Sequence, residues 1–148
     1  MPRQKKNHTA AEFGLDVLES ESDLFRWFLL CYMLGKPIQS GVAVNTWRLF
    51  IDEGFDNPWV LLDASQSTLA RLLVRGKYTR YNHVMSAALQ KMAKQLINNY
   101  EGSLVIMLNA SENEDEFAKR LKELHGVGPK TAEIIMRETE EYFARRLE

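Results

Sequence analysis

The sequence has 148 residues, 45% of them hydrophobic, with a formal net charge of −1 and a single cysteine. This length suits one globular domain with its own core and leaves too little chain for a second full domain. The lone Cys31 excludes an internal disulfide, a cysteine zinc site and a four-cysteine iron–sulfur cluster. No long uncharged apolar segment occurs and the start is basic and polar, so we predict a protein that neither spans a membrane nor is secreted.

Helix-capping patterns and glycine or proline breaks divide the chain into predicted helices. Thr9 to Glu12 is a capping box that predicts a helix to about Glu19, after a flexible basic arm of residues 1–8. Ser20 to Asp23 predicts a second helix through Met33, which Gly35 and Pro37 end. The next predicted helices span residues 41–53, 58–63, 66–74 and 79–100.

The last part of the chain continues the same pattern. Leu104 to Leu108 is predicted as a short apolar turn, and Ser111 to Glu114 as the cap of another helix. A final helix is predicted from Pro129 toward Leu147. Strand alternation is nearly absent, so we expect one all-α domain over residues 9–148, a bundle of about eight short helices.

Apolar spacing also predicts which side chains face the core. Trp27, Trp47 and Trp59 stand at apolar positions, and Cys31 is expected to be a buried small hydrophobe. The longest predicted helix carries an apolar residue every four positions: Val84, Ala88, Met92, Leu96 and Tyr100.

The segment from Leu124 to Ala132 is the most informative in the chain, because Gly126 and Gly128 bracket Val127 with helical sequence on both sides. Glycines permit a tight turn with outward backbone N–H groups. Pro129 suits the first turn of the next helix, whose dipole favours an anion. These features predict a helix-hairpin-helix that grips a phosphate, and the alternative is an ordinary glycine-capped turn.

Charge is distributed unevenly along the chain. Residues 64–110 contain six basic groups and one acidic group, whereas residues 9–63 contain three basic and nine acidic groups. A basic middle near a phosphate-gripping turn favours binding to a nucleic-acid backbone. A solvated helix face is the alternative explanation.

From Leu24 to about Arg137 the chain resembles the helix-hairpin-helix DNA glycosylases of the endonuclease III type. Three pieces carry the resemblance in order: residues 28–34 with 40–45 and 47–50, then residues 76–84, then residues 124–132. They are similar to the family's first barrel helix with its DNA-facing loop, its Gly-x-Tyr turn before a long helix, and the hairpin.

The resemblance implies a six-helix-barrel domain that binds double-stranded DNA, with residues in three regions facing the strand. They are His125, Gly126, Val127, Gly128, Lys130 and Thr131 in the hairpin, Arg75, Lys77 and Arg80 in the basic middle, and Gln39 in the loop. Lys130 stands where the family has its Schiff-base lysine, and phosphate contact is the alternative role. Gln39 is either a wedge into the duplex or an exposed loop residue, and His125 either reaches a phosphate or has no role.

The family also binds a monovalent cation, K⁺ or Na⁺, at its hairpin. The resemblance therefore implies that the backbone carbonyls of Lys122, Leu124 and Val127 hold one. No other cofactor is implied.

Two parts of the family pattern have no counterpart in this sequence: the aspartate that stabilises the charge when the base leaves, and the second lobe of the cleft. Glu148 has about the right separation from Lys130 but ends a charged helix, so we expect a frayed terminus there. The predicted function is backbone binding without strong sequence preference, linked to base-excision repair, in the cytoplasm at the nucleoid or in a nucleus. The alternatives are an active glycosylase and abasic-site lyase, or a protein-interaction domain on the same fold. A homodimer or a partner protein is expected to cover the missing lobe.

Overall fold

The computed structural model describes residues 8–146, and every regular element within that range is helical. The all-α prediction is confirmed. A single 3₁₀ turn at Ala11–Phe13 precedes nine α-helices in the described range. Their bounds are α1 Glu21–Leu34, α2 Ser40–Asp52, α3 Pro58–Asp63, α4 Gln66–Arg75, α5 Asn82–Tyr100, α6 Leu104–Ala110, α7 Glu114–Glu123, α8 Pro129–Met136 and α9 Glu140–Arg146.

The two ends of the chain bear on earlier predictions. Apart from His8, the predicted basic arm lies outside the described residues, as do Leu147 and Glu148. His8 itself contacts the Glu12 carboxylate at 3.1 Å. None of the described helices is both long enough and apolar enough to span a membrane.

Side-chain caps fix most of the helix starts. The side chains of Ser20, Asn57, Ser65, Ser103 and Asn113 each accept a hydrogen bond from the backbone N–H three residues later. This satisfies an N–H group that has no partner inside the helix. The predicted cap at Ser20 is confirmed. The predicted cap at Ser111 is wrong, because its hydroxyl donates to the Met107 carbonyl at 2.8 Å while Asn113 caps α7.

The first predicted helix is also wrong. Both capping-box bonds between Thr9 and Glu12 form, at 3.3 and 3.4 Å. The turn nevertheless ends at Gly14, which adopts the left-handed conformation with φ 73°. A local cap lowers the cost of starting a helix, but three residues of helix cannot bury an apolar face, and tertiary packing decides whether the helix continues.

Two further differences lie near the C-terminal end of the described chain. Leu104–Ala110 is a helix rather than a turn, and the last predicted helix is broken into α8 and α9. At the break, the hydroxyl of the buried Thr139 donates to the Met136 carbonyl at 3.4 Å. After the break, Phe143 of α9 is buried against Phe117 of α7, with ring centroids 6.0 Å apart. This burial of aromatic surface stabilises α9 on the core.

Helix α1 is the centre of the core. Every residue from Trp27 to Met33 is fully buried, including Cys31 as predicted. A helix that is apolar on all sides must be surrounded by other elements, and α1 packs against α2, α6 and α8. Helix α5 packs mainly against α3 and α4. The candidate hairpin is therefore attached to the core through α1.

Two core predictions are wrong. Trp59 is 58% exposed and its indole lies against Gly102 rather than in the core. Val84 is 66% exposed, because the buried stripe of α5 follows Met85, Leu89, Met92 and Leu96. A strict spacing of four drifts around a helix with 3.6 residues per turn, and this drift turns Val84 toward solvent.

The contact between α1 and α8 predicts a measurable coupling. An added Cβ at Gly35 would overlap the Thr131 hydroxyl and lie 3.2 Å from Thr131 Cβ. Gly35→Ala is therefore expected to lower the free energy of unfolding by about 1–3 kcal/mol through overpacking. In the Gly35→Ala/Thr131→Ala double variant, urea denaturation should show the two effects to be less than additive by about 0.5 kcal/mol or more.

Gly41 supplies the matched control, since a Cβ there meets nothing within 4 Å. Gly41→Ala should leave the protein as stable as wild type or slightly more stable. Equal destabilisation by Gly35→Ala and Gly41→Ala would contradict the close approach of α1 to α8.

Candidate nucleic-acid interface

The turn between α7 and α8 is built on buried apolar side chains. Phe117, Leu121, Leu124, Val127, Ala132 and Ile135 are all at least 90% buried. Between them, Gly126 adopts φ 84°, a conformation that L side chains rarely adopt. The Val127 N–H donates to the Leu124 carbonyl at 3.1 Å and closes the turn. The packing fixes the two helices, and Gly126 permits the reversal between them.

Several backbone N–H groups of this turn are not used by the fold. Those of Gly126, Gly128, Lys130 and Thr131 have no hydrogen-bond partner among residues 8–146. Gly128 is the N-cap of α8 and has no side chain to cap it, and Pro129 has no N–H. Free N–H groups at the start of a helix, together with its dipole, favour an anion.

Two side chains bond to the turn, one from α1 and one from the loop after α1. The Tyr32 hydroxyl donates to the His125 carbonyl at 2.9 Å, and the Lys36 ammonium donates to the Gly126 carbonyl at 2.7 Å. The same ammonium lies 4.3 Å from the centre of the Tyr32 ring. Both carbonyls are thereby engaged, whereas the Gly126 N–H between them stays free of hydrogen bonds within the described chain.

Sequence reasoning missed Tyr32 and Lys36. The only available signal was their spacing of four at the end of a buried helix, which cannot show what they contact. Burial lowers the pKa of the Lys36 amine and raises the pKa of the Tyr32 hydroxyl, the latter also because Tyr78 lies nearby. Tyr78 belongs to the predicted Gly-x-Tyr turn, which is therefore within electrostatic reach of Tyr32.

The immediate surroundings of His125 are basic. Its backbone N–H donates to Gln95 Oε1 of α5 at 2.6 Å. Burial lowers the pKa of its imidazole, and the positive charges of Lys91 and Lys36 lower it further. Basic groups from α5, from the loop after α1 and from the turn therefore lie within electrostatic reach of one another.

The predicted hairpin residues differ in what they can offer a ligand. The side chains of Val127 and Thr131 are buried, the latter against Gly35, so only their backbone groups are available. Lys130 is exposed and forms no ion pair within the described chain. His125, Gly126 and Lys130 thus form the exposed part of the site.

Within residues 8–146, the predicted residues outside the hairpin form no hydrogen bond or ion pair with it. Arg75 pairs with Glu53 at 2.9 Å, and Arg80 lies over the Tyr81 ring at 5.3 Å. Lys77 is exposed with φ 75°. Gln39 is exposed at the start of α2, where its side chain caps nothing, and it shares a loop with Lys36.

The three carbonyls predicted for a monovalent cation are differently engaged. That of Leu124 accepts the Val127 N–H, whereas those of Lys122 and Val127 accept no hydrogen bond within residues 8–146. Backbone carbonyl oxygens are suitable ligands for K⁺, so the donor set fits such an ion. Among the described residues, no group of three or more His, Cys, Asp or Glu side chains could hold a metal.

A glycosylase would need a carboxylate near Lys130. Glu133, one turn later on α8, is exposed and lies 3.9 Å from Arg137. Glu148 lies outside the described residues.

In comparisons with known proteins, no family model and no curated protein matches this chain.

The two glycines of the turn should respond differently to substitution. In Gly126→Ala a Cβ would lie 2.7 Å from Tyr32 Cζ in a left-handed backbone, whereas at Gly128 it meets nothing within 4 Å. Gly126→Ala should lower the free energy of unfolding by about 1–3 kcal/mol, and Gly128→Ala should change it by less than about 0.5 kcal/mol. Urea denaturation measures both, and equal effects would contradict the described turn.

Proposed function

We propose that this chain binds the phosphate backbone of double-stranded DNA, with α7, the turn and α8 acting as a helix-hairpin-helix. The observation that carries the proposal is the set of free N–H groups at Gly126, Gly128, Lys130 and Thr131. A phosphate oxygen can accept from such groups without any change in the fold, which is how helix N-termini bind anions.

The charged residues around the turn support the same ligand. No lysine in the described chain is paired with a carboxylate of that chain. The positive charges of Lys36, Lys91 and Lys130 are therefore not neutralised by an ion pair and can attract a phosphate. Arg75 is paired with Glu53, but exposed pairs are worth little and exchange easily for a phosphate. Backbone contacts carry no sequence information, so we propose binding without strong sequence preference.

The biological setting that we propose is DNA repair of the base-excision type, on a domain like that of the endonuclease III glycosylases. This part rests on the resemblance of three ordered sequence pieces. The partner that would cover a missing lobe stays a prediction.

Base excision is not part of the proposal. Removing a base requires a pocket that offsets the cost of extruding it and a group that stabilises the charge of the departing base. On the same helix as Lys130, the carboxylate of Glu133 is exposed and lies 3.9 Å from Arg137. Lys130 itself is exposed, and its amine could still attack the aldehyde of an abasic sugar.

The first test is duplex binding across a salt series. Gly128→Val should weaken binding about tenfold or more, since the side chain occupies the open space in front of the N–H groups and a charge-assisted hydrogen bond is worth about 1.5–3 kcal/mol. An extended backbone with φ −99° accommodates valine. Fluorescence anisotropy with an undamaged duplex measures the effect, and far-UV circular dichroism checks the fold.

The second test separates a phosphate contact from a general loss of charge. Lys130→Gln should reduce the slope of log affinity against log salt by about 0.9. Arg145→Gln is the matched control, since it removes the same charge from α9, where Arg145 pairs with Glu141 at 2.9 Å. Salt-insensitive binding, or none, would favour the protein-interaction alternative.

The third test concerns chemistry at Lys130. Incubation with damaged duplexes should release no base, and borohydride should trap at most a weak covalent product on abasic DNA. Lys130→Arg should lose that product while keeping the affinity, because a guanidinium binds phosphate but cannot form a Schiff base. Robust base release that Lys130→Arg abolishes would establish the glycosylase alternative instead.

A further inference from the structure

Helix α5 reaches the turn through one short hydrogen bond. Gln95 Oε1 accepts the His125 N–H at 2.6 Å, which fixes the carboxamide of Gln95 beside the turn. The NH₂ of that carboxamide has no partner among residues 8–146 and keeps two donors. Gln95 is only partly exposed, so this free donor belongs to the edge of the turn rather than to open solvent.

Two lysines lie near the same donor. Lys91 precedes Gln95 by one helical turn and therefore shares its face of α5. Lys36 reaches the turn from the loop after α1, at 2.7 Å from the Gly126 carbonyl. Neither lysine is paired with a described carboxylate. The charges of both lysines act on His125, to whose backbone the carboxamide of Gln95 is bonded.

We propose that Lys36, Lys91, Gln95 and the ring of His125 form a second anion subsite, which takes a phosphate of the same DNA strand beside the one at the start of α8. The inference rests on the proposed function and deepens it. The second subsite differs from the first in its donors. They are side chains from three parts of the fold, whereas the first subsite uses the backbone N–H groups of one turn.

The subsite should bind a proton together with the phosphate. In the free protein, burial and the charges of Lys91 and Lys36 keep the pKa of His125 below its ordinary value. The charges that act on the ring are those of the two lysines, while the neutral Gln95 of α5 and the Tyr32 hydroxyl of α1 bond to the backbone of His125. A bound phosphate screens the lysines and pairs with imidazolium, so the pKa of His125 rises on binding. The affinity for DNA must then increase as the pH falls through the range between the pKa of His125 in the complex and its pKa in the free protein.

The experiment combines NMR with affinity measurements on the full chain. Titration of the His125 ring signals should give a pKa below about 6.5 in the free protein and above it with an undamaged duplex bound. From pH 8 to pH 6 the affinity of wild type should rise by about 3–10-fold, since one pKa unit corresponds to at most a tenfold change. His125→Gln should remove that rise, and His83→Gln, at an exposed histidine of α5, should retain it.

Lys91→Gln supplies a second readout, because it removes a repulsive charge. In the free protein it should raise the pKa of His125, and in the complex it should weaken binding. If wild type binds the duplex with the same affinity at pH 6 and pH 8 and the pKa of His125 does not move, the subsite is refuted while backbone binding stands. If wild type binds no duplex at either pH, the proposed function itself fails.

Discussion

Two hydrogen bonds from Tyr32 and Lys36 to the carbonyls of His125 and Gly126 are the contacts on which the candidate site depends. The first bond fixes the peptide unit that carries the free Gly126 N–H, and the second fixes the unit whose Val127 N–H closes the turn. Gly126 makes the arrangement possible, because the Tyr32 hydroxyl occupies the space that a Cβ would need. The largely buried α1 and the loop after it thereby position the turn.

The fold also determines which charged residues lie near the turn. The net charge of −1 carries little information, because it is the sum of segments whose charges differ in sign. The fold brings Lys36, from an acidic part of the sequence, next to Lys91 from the basic middle and His125 from the hairpin. Electrostatic attraction of a phosphate depends on the field at one surface rather than on the total charge.

Much of the fold could be predicted from local signals. Ser20 and Asn57 with Pro58 mark helix starts in the sequence and cap helices in the structure. The prediction failed where a local signal competed with packing. The capping box at Thr9 forms but leads to no α-helix, and the last predicted helix is interrupted before α9, whose Phe143 packs against Phe117. Caps act over one turn, whereas continuation of a helix depends on the apolar face it can bury.

The sequence by itself determined the all-α class, most helix bounds and the position of the turn, because capping, period and glycine or proline placement act between neighbours in the chain. It also indicated which backbone groups of the turn could be free. Only the tertiary structure decided that Thr131 and Val127 offer backbone groups alone, and that Lys36, Lys91 and Gln95 surround His125. These residues are separated by 30 to 90 positions, and contacts over such distances are set by how the buried faces of α1, α5 and α8 fit together.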